Sequence, residues 1–141
     1  MALRDLGPIV AKRVLRTDSG RQVEVRLGKP SRAANHWRCP FQLVGLYDDQ
    51  VFSGGGIDGF QALYSALEGI RTKIAESRLR LYVPGTEPPY SGFPMFIPEF
   101  LGLDVYEKLE RVVLGRMERT VRESKLKFER RVRRGSRRRK R

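Results

Sequence analysis

The apolar residues of this chain change their period once, and that change dictates the fold class. In two runs up to Leu43 they recur at every second position. Val23, Val25 and Leu27 alternate with Gln22, Glu24 and Arg26, and Trp37, Cys39, Phe41 and Leu43 fall on one face of the next run. Residues two apart share a face of a strand, so both runs read as half-buried strands. From Phe60 the spacing becomes three and four, through Leu63, Leu67, Ile70 and Ile74, which makes one stripe along a helix. Strands followed by helix predict an α+β fold. The expected form is a small antiparallel sheet of about four strands packed on one central helix, with a long C-terminal helix beyond.

The connections agree with this order. Ile9 to Thr17 and Arg21 to Leu27 are β-rich, and Asp18-Ser19-Gly20 between them suits a short hairpin. Lys29 to Asn35 reads as a polar loop. Pro40 leaves the third strand one donor short, which predicts a bulge or an edge. A short strand around Gln50 to Ser53 leads into Gly54-Gly55-Gly56. Asp58, with Gln61 three residues on, marks the start of the central helix as a variant of the capping box. Leu79, Leu81 and Val83 are read as a further strand. Residues 84–98 hold five prolines, which exclude regular helix and central strand.

The second helix is predicted from Asp104, with Val105, Leu109, Val112 or Val113, Met117 and Val121 facing inward. Glu107–Arg111, Glu118–Arg122, Glu123–Lys127 and Glu129–Arg133 are i, i+4 pairs in the favourable order, each contributing about 0.2–0.5 kcal/mol. Gly135-Ser136 is expected to end it. On this reading residues 1–128 are a single domain containing the 84–98 loop and the 104–128 helix, and 129–141 are a basic arm. A chain of 141 residues fits one domain with one core.

Composition sets the class. Hydrophobic content of 40% and charged content of 32% read as a soluble globule. No run of about 18 apolar residues is present to span a bilayer. The opening MALRDLGPIVAKR lacks the features of a secretory signal, so the expected location is cytoplasmic. One cysteine, Cys39, rules out an intrachain disulfide framework and a multi-cysteine zinc cage. The net charge of +13 is unevenly placed. From Met117 to Arg141 there are thirteen Lys/Arg against three Glu, and before that sixteen basic residues against thirteen acidic.

Several segments invite a chemical reading. Gly54-Gly55-Gly56-Ile57-Asp58-Gly59 matches G-x-G-x-x-G between strand and helix, where helix N–H groups could cradle a phosphate. Against it, the strands upstream look antiparallel, whereas a dinucleotide fold needs a parallel βαβ unit. Asp58 also puts negative charge where the phosphate would sit. His36 and Cys39 suggest a nucleophile and base, but their odd spacing sends them to opposite faces of a strand. Cys39 between Trp37 and Phe41 reads as a small buried hydrophobe. Asp48, Asp49, Glu68, Glu87 and Glu99 have no spacing that demands a shared site, and no zinc or calcium ligand pattern appears. No catalytic residue, metal ligand or cofactor is therefore assigned.

Two segments remain as binding surfaces. The proline loop carries Tyr90, Phe93, Met95, Phe96 and Phe100, and folds back as a lid or offers aromatics to a protein partner. Tyr90, Phe93 and Phe96 are its candidate contacts. In the tail KLKFERRVRRGSRRRKR, nine of the last twelve residues are Lys or Arg. Lys125, Lys127, Arg130, Arg131, Arg133, Arg134, Arg137, Arg138, Arg139, Lys140 and Arg141 are the candidate phosphate contacts. Such an arm meets backbone rather than base edges, so docking on nucleic acid would be independent of sequence. An anionic membrane is disfavoured, because Leu126 and Phe128 make a poor apolar anchor.

Trp37 to Leu46 (WRCPFQLVGL), Gly56 to Leu63 (GIDGFQAL), Ala66 to Arg71 (ALEGIR) and Gly92 to Pro94 (GFP) together resemble an uncharacterised bacterial family of small proteins, one of the domains of unknown function. The resemblance runs over roughly Val14 to Val121. It implies a compact, bacterial, cytosolic domain with no assigned activity and no catalytic residues to carry over. The expected function is that of a small non-enzymatic binding protein whose arm docks on nucleic acid. The alternatives are a ribosome- or RNA-associated assembly factor, and a phosphate- or nucleotide-binding enzyme built on the Gly54–Gly59 turn.

Overall fold

A computed structural model of the protein describes residues 5–48, 50–86, 89–93, 95–97 and 101–138, the last four of these by backbone alone. The fold class is α+β. The chain divides into two compact units, Met1–Phe96 and Ile97–Arg141.

The first unit is one antiparallel sheet under one helix. Its strands are β1 (Ile9–Arg16), β2 (Gln22–Gly28), β3 (Ser31–Ala33), β4 (His36–Val44) and β5 (Phe52–Gly56). β4 pairs with β2 through Phe41 to Val44, with β3 through His36 to Arg38, and with β5 through Trp37 to Phe41. β3 therefore continues the column of β2 after a break at Lys29-Pro30, and the five strands stand in four columns. The expected polar loop at Lys29 to Asn35 thus contains a strand. Ser31-Arg32-Ala33 shows no alternation, and its extended form comes from pairing with β4 across a turn in which Ala34 takes a φ of 49°.

Pro40 also departs from expectation, since β4 lies in the interior of the sheet. The proline falls opposite the break between β2 and β3, where the neighbouring column is itself interrupted. Leu79, Leu81 and Val83 do not form a strand. One bridge joins Tyr82 to Arg16, with hydrogen bonds of 2.9 and 3.0 Å, while Leu81 enters the core.

Helix α1 (Gly59–Glu76) begins at the expected cap. Asp58 Oδ1 accepts from the Gln61 N–H at 2.8 Å, and Gln61 Oε1 accepts from the Ile57 N–H at 2.7 Å. Its buried residues are Ala62, Ala66, Ile70 and Ile74. Phe60, expected in the stripe, is 73% exposed. The reason lies in β5. A Cβ on Gly54 would stand 2.6 Å from the Ala62 carbonyl oxygen, and one on Gly56 would stand 2.7 Å from Gln61 Cβ. The helix rides so close to these glycines that only small side chains fit between, which rotates the buried stripe onto the alanines.

Core residues from every long strand meet α1: Leu15, Val23, Cys39 and Leu43 are wholly buried, as is Ile70 above them. The alternate residues occupy the other face of the sheet. There Lys12 stands opposite Arg26, Val14 opposite Glu24 and Arg16 opposite Gln22, and Gln42 and Val44 extend the rows into β4. Arg38 lies on the same face, two positions before Pro40.

In the second unit, α2 (Leu103–Arg138) is a helix of 36 residues. It continues through Gly135-Ser136, where an end was expected. Glycine in a helix interior costs only about 1 kcal/mol relative to alanine, and the arginines on both sides are good helix formers. With about 100° per residue, Lys127, Arg130, Arg133 and Arg134 occupy one side of α2, and Val121, Phe128 and Val132 the other. No helix among the described residues is long and apolar enough to cross a membrane.

Candidate functional site

The glycine run does not form a phosphate loop. Gly54, Gly55 and Gly56 are the end of strand β5, and Gly54 and Gly56 press against the backbone of α1. The cap is occupied by the Asp58 carboxylate, which takes the N–H that an anion would need. The geometry explains these glycines as a close strand-to-helix contact.

His36 is exposed and Cys39 is wholly buried, three residues away on the opposite face of β4. The Cys39 thiol donates to the Gly28 carbonyl at 3.4 Å, and burial pushes its pKa up to about 11. A thiol in that setting stays protonated at neutral pH and is a poor nucleophile. No cluster of three or more His, Cys, Asp or Glu able to hold a metal occurs among the described residues. Asp49, Glu87 and Glu99 lie outside them.

The aromatic loop is held by the unit it belongs to. Phe93 packs on the core, and the Arg13 guanidinium lies 4.8 Å from its ring centroid. The same guanidinium donates to the carbonyls of Gly92 at 2.7 Å and Ser91 at 3.3 Å. Phe96 stacks on Tyr64 with centroids 5.1 Å apart, and its N–H donates to Glu68 at 3.4 Å. Arg71 first, then the Phe96 N–H, hold the Glu68 carboxyl below its usual range. Tyr90 is 58% exposed although its carbonyl accepts from Val83. Of the three candidate aromatics, the structure brings Phe93 and Phe96 onto the body and leaves Tyr90 facing solvent. Pro94 and Phe100 lie outside the described residues.

Arg13 is the hub of this loop, with two carbonyls and a ring on one guanidinium. Arg13→Ala is expected to lower stability by about 1 kcal/mol, near the low end for charge-assisted bonds because the group is exposed. Urea unfolding, followed alongside the NMR signals of Gly92 and Phe93, measures it. Unchanged signals would mean that the loop is held elsewhere.

In α2, Lys125, Lys127, Arg130, Arg131, Arg133 and Arg134 are helical, as are the backbones of Arg137 and Arg138. Arg139, Lys140 and Arg141 lie outside the described residues. Sequence reasoning placed the cationic surface in this segment alone. It missed the open sheet face, where Lys12, Arg16, Arg26 and Arg38 accompany a single carboxylate, Glu24. Their even numbers beside the odd-numbered core residues were the available signal.

The arrangement defines a class first: an α+β domain of one antiparallel sheet sealed to one helix through glycines, with its cations on open surfaces. Residues 11–95 match the model of a family described as a domain of unknown function (DUF6968), and the chain belongs to that family. The match covers the sheet from Ala11 onward, α1 and most of the aromatic loop, and stops short of α2. No curated protein and no solved structure matches the chain.

Proposed function

We propose that this chain is a small non-enzymatic binding protein of the bacterial cytoplasm that docks on nucleic acid through its basic C-terminal helix, without reading base sequence. The observation that supports it most is the continuity of α2 to Arg138, with Lys127, Arg130, Arg133 and Arg134 on one side. A helix fixes the spacing of these charges, and one basic side can follow a line of phosphates while Val121, Phe128 and Val132 stay off it. The only acid beyond Lys125 is Glu129, so little of the charge is neutralised within the segment. In this reading the sheet-and-helix body is a module for a protein partner, with Tyr90 at the solvent edge of its loop. The glycine contact at β5 and the Asp58 cap weigh against a nucleotide enzyme.

Binding to mixed-sequence DNA and RNA across a salt series, with the full chain and with a chain lacking residues 130–141, tests this. Truncation is expected to weaken binding at least about tenfold at moderate salt. It should also flatten the log–log salt dependence by several units, at about 0.9 per phosphate on duplex DNA. Equal affinities and equal slopes would dismiss the arm as the docking element.

A further inference from the structure

We propose that the open face of the sheet is a second docking surface, built for the sugar–phosphate backbone of a single-stranded nucleic acid. This inference stands on the first unit and does not depend on α2.

The register assembles the surface from positions far apart in sequence. Lys12 and Arg26 face each other across β1 and β2, with Glu24 one row on. Both cations share that one carboxylate: Arg26 Nε bonds Glu24 Oε1, and Lys12 Nζ lies 3.8 Å from the same oxygen. Arg16 lies beside Gln22 and Arg38 lies on β4, and neither has a carboxylate partner among the described residues. One terminal nitrogen of Arg38, Nη2, is buried without any hydrogen-bond partner there. Four cations against one anion leave the face with an excess that no other carboxylate neutralises among the described residues of its unit. α1 packs on the opposite face, against β4 and β5. Lys12 keeps 54% of its side chain in solvent, and Val14 is 40% exposed between the charged rows.

The shape of the face selects among polyanions. From Lys12 to Arg16 the strand advances about 13 Å, and the columns from β1 to β4 span about 10 Å. A flat patch of that size projects no helix or ribbon that could enter a duplex groove. A rigid duplex would touch it along one line, whereas a flexible strand can lay successive phosphates over the rows. Tyr82, bridged to Arg16, puts one aromatic ring at the border of this face, while the rows of Lys12, Arg26 and Arg16 meet phosphates, a contact that is indifferent to sequence.

The test uses the full-length protein with a short oligothymidylate, read by backbone amide shifts and by binding across a salt series. Shifts at Lys12 to Arg16, Gln22 to Arg26 and Gln42 to Val44 are expected. The double variant Lys12→Gln/Arg26→Gln should lower the log–log slope by about 1.4, at about 0.7 per single-strand contact. Glu24→Gln should do the reverse, raising affinity severalfold by removing the one opposing charge. Should the double variant fail to fold, Glu24→Gln and the wild-type shifts still decide. Shifts confined to α2 would overturn this surface and leave the arm standing, and shifts confined to the sheet would do the opposite. Unchanged affinity in Glu24→Gln, or a matched duplex that shifts the same sheet amides as strongly as the single strand, would also sink the proposal.

Discussion

Gly54→Ala is expected to destabilise the first unit by about 3 kcal/mol or more, enough to leave a domain of ordinary stability largely unfolded when warmed. The added Cβ meets backbone, with the Ala62 carbonyl oxygen at 2.6 Å and the Ser65 carbonyl carbon at the same distance. Backbone of a capped helix cannot step aside as a flexible side chain can, so α1 must lift from β5 as a whole. Gly56→Ala should behave similarly, because Gln61 Cβ stands at 2.7 Å and the Ala62 N–H is closer still. Gly55→Ala is the control. Its Cβ would point to the open face, 3.9 Å from the Trp37 carbonyl, and should change stability by less than about 0.5 kcal/mol. Urea midpoints of the three variants compare them directly. A mild Gly54→Ala would mean that the seam is looser than its geometry.

Ile70→Ala is the second large effect, expected at about 2–5 kcal/mol. The side chain is wholly buried on α1 and lines, with Val25, Leu27 and Leu67, the cleft between the helix, β1 and Phe93. Two sides of the resulting hole are fixed. Gly54 and Gly56 already hold the helix at contact distance through Ala62 and Ala66, so α1 cannot settle inward at Ile70 to refill the space. Collapse is left to Phe93 and Leu67, which are only partly buried. The loss should therefore fall in the upper half of the range, read from the denaturation midpoint at unchanged slope. A loss below about 1 kcal/mol would show that Phe93 closes over the gap.

Much of this architecture was legible in the residues. Period-2 runs gave β2 and β4, and the Asp58–Gln61 pair gave the start of α1 to the residue, because both patterns are local. Legibility ended where a neighbour decides. Ser31-Arg32-Ala33 is extended only because β4 offers it an edge, and Phe60 is excluded from the core only because β5 approaches through glycine. Hydrophobicity ranks Phe60 above Ala62, but the available gap ranks them the other way. The same division holds for binding surfaces. A run of arginines announces itself in the tail, whereas the sheet face exists only once register brings Lys12 to Arg26. For the loop, aromatic content marked the segment, but the Arg13 contacts that sort Phe93 from Tyr90 come from a strand some eighty residues earlier.

The borders of the sheet have a consequence for how copies of the chain meet. β1 carries a register irregularity between Ile9 and Ala11, has Lys12 and Arg16 along it, and is closed at its far end by Tyr82. β5 is five residues long, three of them glycine. Bulges, lysines, short strands and covered ends are the means by which proteins stop their outer strands from templating a neighbour. Strand-to-strand zippering into fibrils thus finds no long, flat, apolar margin on either side, and encounters between molecules at high concentration fall to side chains.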